Sequence, residues 1–329
     1  VSPYLNDGTY NIDAAGNRLG LMGEPDAVGY FNPKTIFDLN KFTTKADRVL
    51  GTLSATITPF KGLALKTVYG IDNISSESIT FQTPLHGDGY SGGLASNSFD
   101  RRMRWTWTNT INYTKSFVEK LNTSFLIGAE EQYTTVNGWS GSRTAINDPL
   151  FTSYQGSWVT PNNPPSLNQF ENYFISYFGR ANFDWNKKYY FEVSARRDGF
   201  SGLAIGHKFG TFGGASLMWN ISKEGFIADG ILGQYVTDLR LKVSYGRVGN
   251  ISGIDSYGSY FLYNSSFYGS QPTWAFSQAV TPNLGWKAGI QMDAVIYFGV
   301  LTYPLKFEVK YYKNTVNNLI LNAPQAPSK

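Results

Sequence analysis

The sequence predicts an all-β chain, an antiparallel transmembrane β-barrel contributing roughly ten strands. Three observations predict it. Many stretches alternate a ring or aliphatic side chain with a polar one, and a period of two is the strand period. The connections between these stretches alternate short and long. A sandwich or propeller has no reason for that order, whereas a membrane barrel carries short turns at one rim and long loops at the other. Composition agrees: among 329 residues, 34 are Gly and 22 are Tyr, aromatics make up 16%, and charged residues also make up 16%. That charge content is well below the usual quarter.

The elements follow in order. RVLGTLSATIT (48–58) places Val49, Leu53, Ala55 and Ile57 on one face. The tight turn PFKG (59–62) leads to LALKTVYGID (63–72), and a Gly/Ser-rich stretch then runs to about 101. RMRWTWTNTINYT (102–114) alternates almost without fault, and KSFVEK connects it to a strand over 121–134. The longest loop, 135–172, contains NNPP. YFISYFGRANFDW (173–185) turns at Asn186-Lys187-Lys188 into YYFEVSARRDG (189–199). After a loop at 199–210 comes TFGGASLMWN (211–220), and a more helical stretch, ISKEGFIADGILGQYV, links it to LRLKVSYGRV (239–248). A second long loop, 249–284, precedes a strand at 286–298. GVLTYP then turns into LKFEVKYYK (305–313), and the tail NNLILNAPQAPSK predicts no further strand.

The apolar parity is also ordered along its length. Trp105, Trp107, Tyr173, Tyr177, Tyr245 and Tyr311 fall near long-loop ends, and Tyr113, Phe183, Trp185, Tyr189 and Trp219 near short-turn ends. Ala181, Val193, Ala195, Ala215 and Leu241 lie between. At the rise and tilt of barrel strands, Trp105 and Tyr113 are separated by roughly 19 Å, which suits two aromatic girdles flanking a hydrocarbon band. A single such strand fits a water-soluble core equally well. The recurrence in several strands favours a ring face turned to lipid and a polar face turned to a wet or plugged lumen. Closure then satisfies the backbone groups that hydrocarbon leaves bare.

Composition excludes several chemistries. The chain has no Cys, which removes disulfide frameworks, thiolate metal sites and cysteine nucleophiles. A net charge of +4 with only a short basic cluster at 101–104 argues against a nucleic-acid partner. No apolar run is long enough for a transmembrane helix, and the first residues lack the regions of a signal peptide. His86 and His207 are far apart without ligand-spaced carboxylates, so neither a metal nor a cofactor is expected. Glu130 and Glu131 point to opposite faces, and GDGYSGG (87–93) and GTFGG (210–214) do not form a Walker loop. No catalytic residue is assigned.

Two groups remain as candidate sites. The long loops carry Tyr90, Trp139, Tyr154, Trp158, Phe267, Tyr268 and Trp274. Flat rings bury the apolar faces of sugars at little cost in side-chain freedom, although rings in loops also pack against each other or against a partner. On the polar parity, Arg102, Arg104, Arg180, Glu192 and Arg196 are placed to line a solute path or to bond a plug.

Several stretches, in order and spacing as well as content, resemble the barrel of the SusC/RagA family of TonB-dependent outer-membrane transporters of Bacteroidetes-type bacteria. They are FNPKTIFDLNKFTTKADRVLGTLSATITPFKGLALKTVYGID, SYFGRANFDWNKKYYFEVSARRDGFS, FGTFGGASLMWNISKEGF, LRLKVSYGRVGN and LGWKAGIQMDAVIYFG, followed by YYKNTVNNLILNAP. The resemblance implies a plugged barrel of about 22 strands. It also implies a TonB-contacting segment and a SusD-like surface lipoprotein, with import of glycans, oligosaccharides or peptides across the outer membrane. On that reading residues 1–329 are a partial barrel domain, with the plug and closing strands not present. RRDGFSGLAIG lacks the later Arg and Phe of the family's RRDGSSRFG, and Gly213 stands where the family usually has Pro. The competing readings are a secreted β-rich carbohydrate-binding or adhesion module and, with less support, an outer-membrane enzyme.

Overall fold

The computed structural model describes residues 2–12, 31–118, 120–148, 150–154, 158–300 and 305–317. A short helix, α1 (Pro33–Leu39), precedes β1 (Lys41–Phe60), β2 (Leu63–Gln82), β3 (Leu94–Val118), β4 (Leu121–Ile146), β5 (Trp158–Trp185), β6 (Tyr189–Phe200) and β7 (Phe209–Asn220). Then come helix α2 (Gly225–Ala228), β8 (Val236–Asn250), β9 (Leu262–Tyr268), β10 (Gln271–Gln278), β11 (Lys287–Val300) and β12 (Leu305–Asn317). Ten strands form one antiparallel sheet in the order β1-β2-β3-β4-β5-β6-β7-β8-β11-β12, while β9 and β10 pair with each other.

All ten strands expected from alternation are present, but several run further. The stretch expected as a loop up to 101 is largely strand: β2 continues to Gln82 and β3 begins at Leu94. The loop expected over 135–172 shrinks likewise, because β4 reaches Ile146 and β5 starts at Trp158. Alternation of greasy and polar residues is imposed only where one face meets lipid. Beyond that band the backbone ladder continues without it. The connection 249–284 holds the β9–β10 hairpin, and its turn at Gly269 has φ +62. The turn at 301–304 and the tail from 318 lie outside the described residues.

The chain forms two compact units. Unit 1 comprises Val1–Gly51, Ile71–Arg104 and Thr134–Glu171, and unit 2 comprises Thr52–Gly70, Trp105–Tyr133 and Asn172–Lys329. In unit 1, Phe81 and Ala95 are buried with Ile146 packed on them. Asn32 caps α1 by accepting from the Lys34 N–H at 3.0 Å, and Pro33 suits the first turn because its missing N–H is not needed there. The Asn32 N–H donates to Nε2 of the fully buried His86, so this histidine works as a structural acceptor.

Unit 2 contains the tight turns. Gly62 adopts φ +96, and its carbonyl accepts from the Thr114 N–H at 2.8 Å. A Cβ there would overlap the Thr114 carbonyl, so glycine is required twice over. At the β5–β6 turn Asn186 and Lys187 take φ +54 and +55. Asn tolerates this region, and Asp184 Oδ1 accepts from the Lys187 N–H at 2.8 Å to hold the turn. That turn sets the register, pairing Ala181 with Val193 and Ser176 with Asp198.

The two faces of unit 2 invert the arrangement of a water-soluble sheet. On β6, Tyr189, Phe191, Val193 and Ala195 are exposed, whereas Tyr190, Glu192 and Ser194 are half-buried. On β8, Leu241, Val243 and Tyr245 are exposed, whereas Arg240, Lys242 and Ser244 are half-buried. The β9–β10 hairpin is the one other multi-residue sheet among the described residues.

Candidate functional site

The ring face of unit 2 is organised in two rows. The first crosses β2 to β5: Tyr69 stacks on Trp105 at 6.1 Å, Trp105 meets Tyr133 at 6.1 Å, and Tyr133 meets Tyr173 at 6.5 Å. The second lies near the short turns. Phe60 meets Tyr113 at 6.4 Å, Phe125 meets Phe183 at 5.7 Å, Phe183 stacks on Phe191 at 6.0 Å, and Tyr189 stacks on Trp219 at 6.4 Å. Trp107, Tyr177, Trp185, Tyr245 and Tyr311 are exposed on the same parity. Trp107 Nε1 donates to Thr67 Oγ1 at 2.9 Å. Sequence reasoning had not placed Tyr69, Phe125, Tyr133 or Phe191 in the rows, although their odd numbers put them on the expected parity.

The polar face carries an ionic cluster centred on Arg196. Arg196 reaches Asp198 through Nε and Ser176 Oγ through Nη2 at 2.8 Å, with Glu130 Oε1 at 3.9 Å from Nη2. Ser176 and Asp198 are buried, and Thr108 Oγ1 donates to Glu130 at 3.0 Å. The Arg196 guanidinium also sits 5.7 Å over the Phe178 ring. Beside this cluster lies a hollow of ≈ 570 Å³ between Phe174, Arg196, Asp198, Phe212 and Trp286, with Gly213, Gly214, Gly246 and Gly249 in its wall. Trp286 makes edge contacts with Phe174 at 6.0 Å and Phe212 at 5.2 Å, and its indole donates to the Lys208 carbonyl at 3.0 Å. A Cβ on Gly213 would come 2.5 Å from the Ser194 carbonyl. The residue that departs from the family pattern is therefore one the strand spacing now requires.

The five polar candidates are not brought together. Arg196 anchors the cluster just described. Glu192 lies in a separate hollow of ≈ 350 Å³ with Asp184, Tyr190 and Lys242, and Arg180 is exposed. Arg102 and Arg104 belong to unit 1, where Arg104 Nε donates to Thr134 Oγ1 at 3.4 Å. Sequence reasoning missed Ser176 and Asp198, which share the even parity of Arg196. It also missed Phe174, Phe178 and Phe212, rings that break the polar pattern on that face.

The seven rings assigned to loops divide differently from the expectation. Tyr90 and Tyr154 lie in connections, but Trp139 is in β4, Trp158 opens β5, Phe267 and Tyr268 are in β9, and Trp274 is in β10. Tyr154 packs under Arg143, whose guanidinium is 5.7 Å from the ring centroid. On the hairpin, Phe267 pairs with Pro272, Trp274 with Ser265 and Phe276 with Tyr263, so these rings share one face. Tyr268 pairs with Gln271 on the other. Phe267 and Trp274 are 73% and 72% exposed, an aromatic surface on a hairpin that does not pair with the main sheet. Among the described residues no three His, Cys, Asp or Glu side chains form a metal-binding group. Among the described residues no helix is long and apolar enough to cross a membrane, which leaves crossing by strands untouched.

An antiparallel sheet whose strands follow chain order apart from the β9–β10 hairpin, with rows of rings on one face and charged and polar side chains on the other, is wall from a membrane β-barrel. No protein-family model matches the sequence. Among curated proteins, the chain is 27% identical to TonB-dependent receptor P3 of Formosa agariphila, covering 98% of this chain and 31% of the relative. It is 26% identical to TonB-dependent receptor SusC of Bacteroides thetaiotaomicron over 61% of this chain and 20% of the relative. Among solved structures, the RagAB peptide transporter matches with a TM-score of 0.83 at 24% identity, over 98% of this chain and 35% of that one. Along almost its whole length the chain is similar to TonB-dependent receptors of the SusC/RagA type, and its sheet matches part of an outer-membrane β-barrel. It spans about a third of the length of the relatives it matches from end to end. TonB-dependent transporters are not enzymes.

Proposed function

We propose that this chain forms part of the barrel wall of a TonB-dependent importer. The importer takes up glycan oligomers or peptides together with a SusD-like surface lipoprotein and is powered through TonB. The observation that carries the reading is the inverted sheet: exposed and half-buried rings in two rows on one face, and a cluster of Arg196 with the buried Asp198 carboxylate on the other. The sheet's edges support it too. β1 and β12 are exposed along their whole length. Hydrocarbon does not tolerate bare strand edges, so further strands of the receptor pair with both. A plug and a TonB-contacting segment belong to the rest of such a receptor. The hairpin rings Phe267 and Trp274, and on their own strands or connections Tyr90, Trp139, Tyr154 and Trp158, are the candidates for solute or lipoprotein contact. Arg102, Arg104, Arg180, Glu192 and Arg196 are the candidates for plug or solute contact.

The experiment is uptake of labelled oligosaccharides and labelled oligopeptides by cells making the receptor that carries this chain, with and without TonB. Uptake of one class that vanishes without TonB supports the proposal and names the cargo. Uptake of neither, together with a chain that is monodisperse in detergent-free buffer, favours a secreted binding module instead.

A further inference from the structure

The connection from β7 to β8 is not a tight turn. It runs through single helical turns at Ile221–Lys223 and Ile231–Gln234 on either side of α2. Its side chains are arranged unlike those of a water-washed loop. Phe226, Ile231, Leu232 and Tyr235 are 66%, 79%, 55% and 54% exposed. Asp229 is the one charge between Gly225 and Tyr235. Ile227 is buried and pins the segment from within.

Its position is fixed by Glu224, which precedes α2. Glu224 Oε1 accepts from the Tyr189 hydroxyl at 2.7 Å and from Trp219 Nε1 at 3.1 Å, and Lys188 Nζ lies 2.8 Å from Oε2. Tyr189 and Trp219 are the stacked pair of the short-turn ring row, on the face that meets lipid. A carboxylate that ties down the polar tips of two lipid-facing rings holds its own segment at the lipid side of the rim, not over the lumen. The exposed apolar side chains thus continue the ring row outward, and the exposed Lys187 and Lys223 flank them at the level where headgroup phosphates lie.

We propose that residues 221–235 form an interfacial footing: an in-plane element whose Phe226, Ile231, Leu232 and Tyr235 enter the phospholipid leaflet at the short-turn rim and fix the depth of β6, β7 and β8. It rests on the barrel reading above. Short turns face the periplasm in such barrels, so the leaflet is the phospholipid one on that side. Apolar side chains in an interface and cations at the headgroups are the ordinary terms of such binding.

Because the chain has no Cys, single cysteines can be labelled cleanly within it. The test places a nitroxide at Phe226→Cys and Ile231→Cys in the receptor that carries this chain, with its other cysteines removed. Reference labels go at Val193→Cys on the ring face and Asp255→Cys in a distant connection. The receptor is reconstituted in vesicles of phosphatidylethanolamine and phosphatidylglycerol, and collision rates with oxygen and with a water-soluble nickel chelate are compared. Oxygen exceeding the nickel chelate several-fold at 226 and 231, as at 193 and with the reverse at 255, supports the footing. Nickel dominance at 226 and 231 while 193 stays lipid-like overturns it and leaves the barrel intact. Low collision with both reagents there also overturns it, in favour of a protein occupant. A water-like signal at 193 sinks the barrel reading itself. If either label blocks insertion, bimane at Leu232→Cys with brominated phosphatidylcholine reads the same contact: quenching supports the footing and its absence overturns it.

Discussion

Tyr189 and Trp219 stand opposite one another across β6 and β7 with ring planes 10° apart, and both donate to the same oxygen of Glu224. With Lys188 on its other oxygen, Glu224 is the knot of the short-turn rim. The Lys188 hydrogen bond, followed by those of Tyr189 and Trp219, holds its carboxyl down at about 2 from an ordinary 4.5. A depressed carboxyl contributes stability that is fully present above the unfolded value and is lost as pH falls through the folded one. The receptor should therefore lose stability between pH 4.5 and about 2 through this group. Glu224→Gln should be less stable at neutral pH and show a shallower acid limb. The heat-induced mobility shift of the folded barrel on gels, run across pH, measures both. Parallel acid limbs for the two proteins would refute the assignment.

Two glycines, Gly213 on the ring-face parity and Gly246 on the polar one, should behave oppositely. A Cβ at Gly213 meets the Ser194 carbonyl at 2.5 Å, while one at Gly246 meets nothing within 4 Å. Forcing a methyl group against a ladder carbonyl costs about 1–3 kcal/mol, the usual range for overpacking. Gly213→Ala should destabilise by that order. Gly246→Ala should be neutral or slightly stabilising, since glycine weakens a strand. Urea unfolding in matched detergent micelles ranks the two, and equal midpoints would remove the argument for close β6–β7 approach.

The strands were legible in the sequence wherever one face meets lipid, because there alone the parity of residues such as Phe183, Val193 and Leu217 is forced. The outer half of β4 was not, since NGWSGSRTAI carries small and polar residues on both parities and reads as loop. The hairpin was hidden by Pro272, which argues against a strand unless the strand lies at an edge, as β10 does. Of the ionic cluster, Arg196 could be read from parity, but Asp198 and Ser176 needed the register. Counting outward from the Asn186-Lys187-Lys188 turn places Ser176 opposite Asp198. The partnership with Glu130 spans separate strands and had no local signal.

That cluster predicts an asymmetric response. Asp198 is buried and leans on Arg196, so Arg196→Ala leaves a buried carboxylate without its partner. The cost of stranding such a group is about 1–3 kcal/mol or more. Arg196→Lys keeps the charge but cannot reach Asp198 and Ser176 at once, and should recover only part of it. The double variant Arg196→Ala, Asp198→Asn should lose less than the sum of its singles, as contacting residues do. Additive losses by urea unfolding would show that the two side chains act independently.

The depth of each ring-face position predicts what a charge does there. Ala181 pairs with Val193 between the two ring rows, while Trp107 lies beside the row of Tyr69 and Trp105 with its indole on Thr67. An Arg on the lipid face costs about 2–4 kcal/mol at mid-depth and about 0–1 kcal/mol near an interface, where its long side chain can reach water. Ala181→Arg should therefore impair folding into phosphatidylcholine vesicles far more than Trp107→Arg, with most Ala181→Arg protein left in the unshifted gel band. In detergent, where no bilayer depth exists, the gap should narrow. Equal damage at both sites in vesicles would mean that the rings face a packed core, because in a core the cost follows burial rather than distance from the rim.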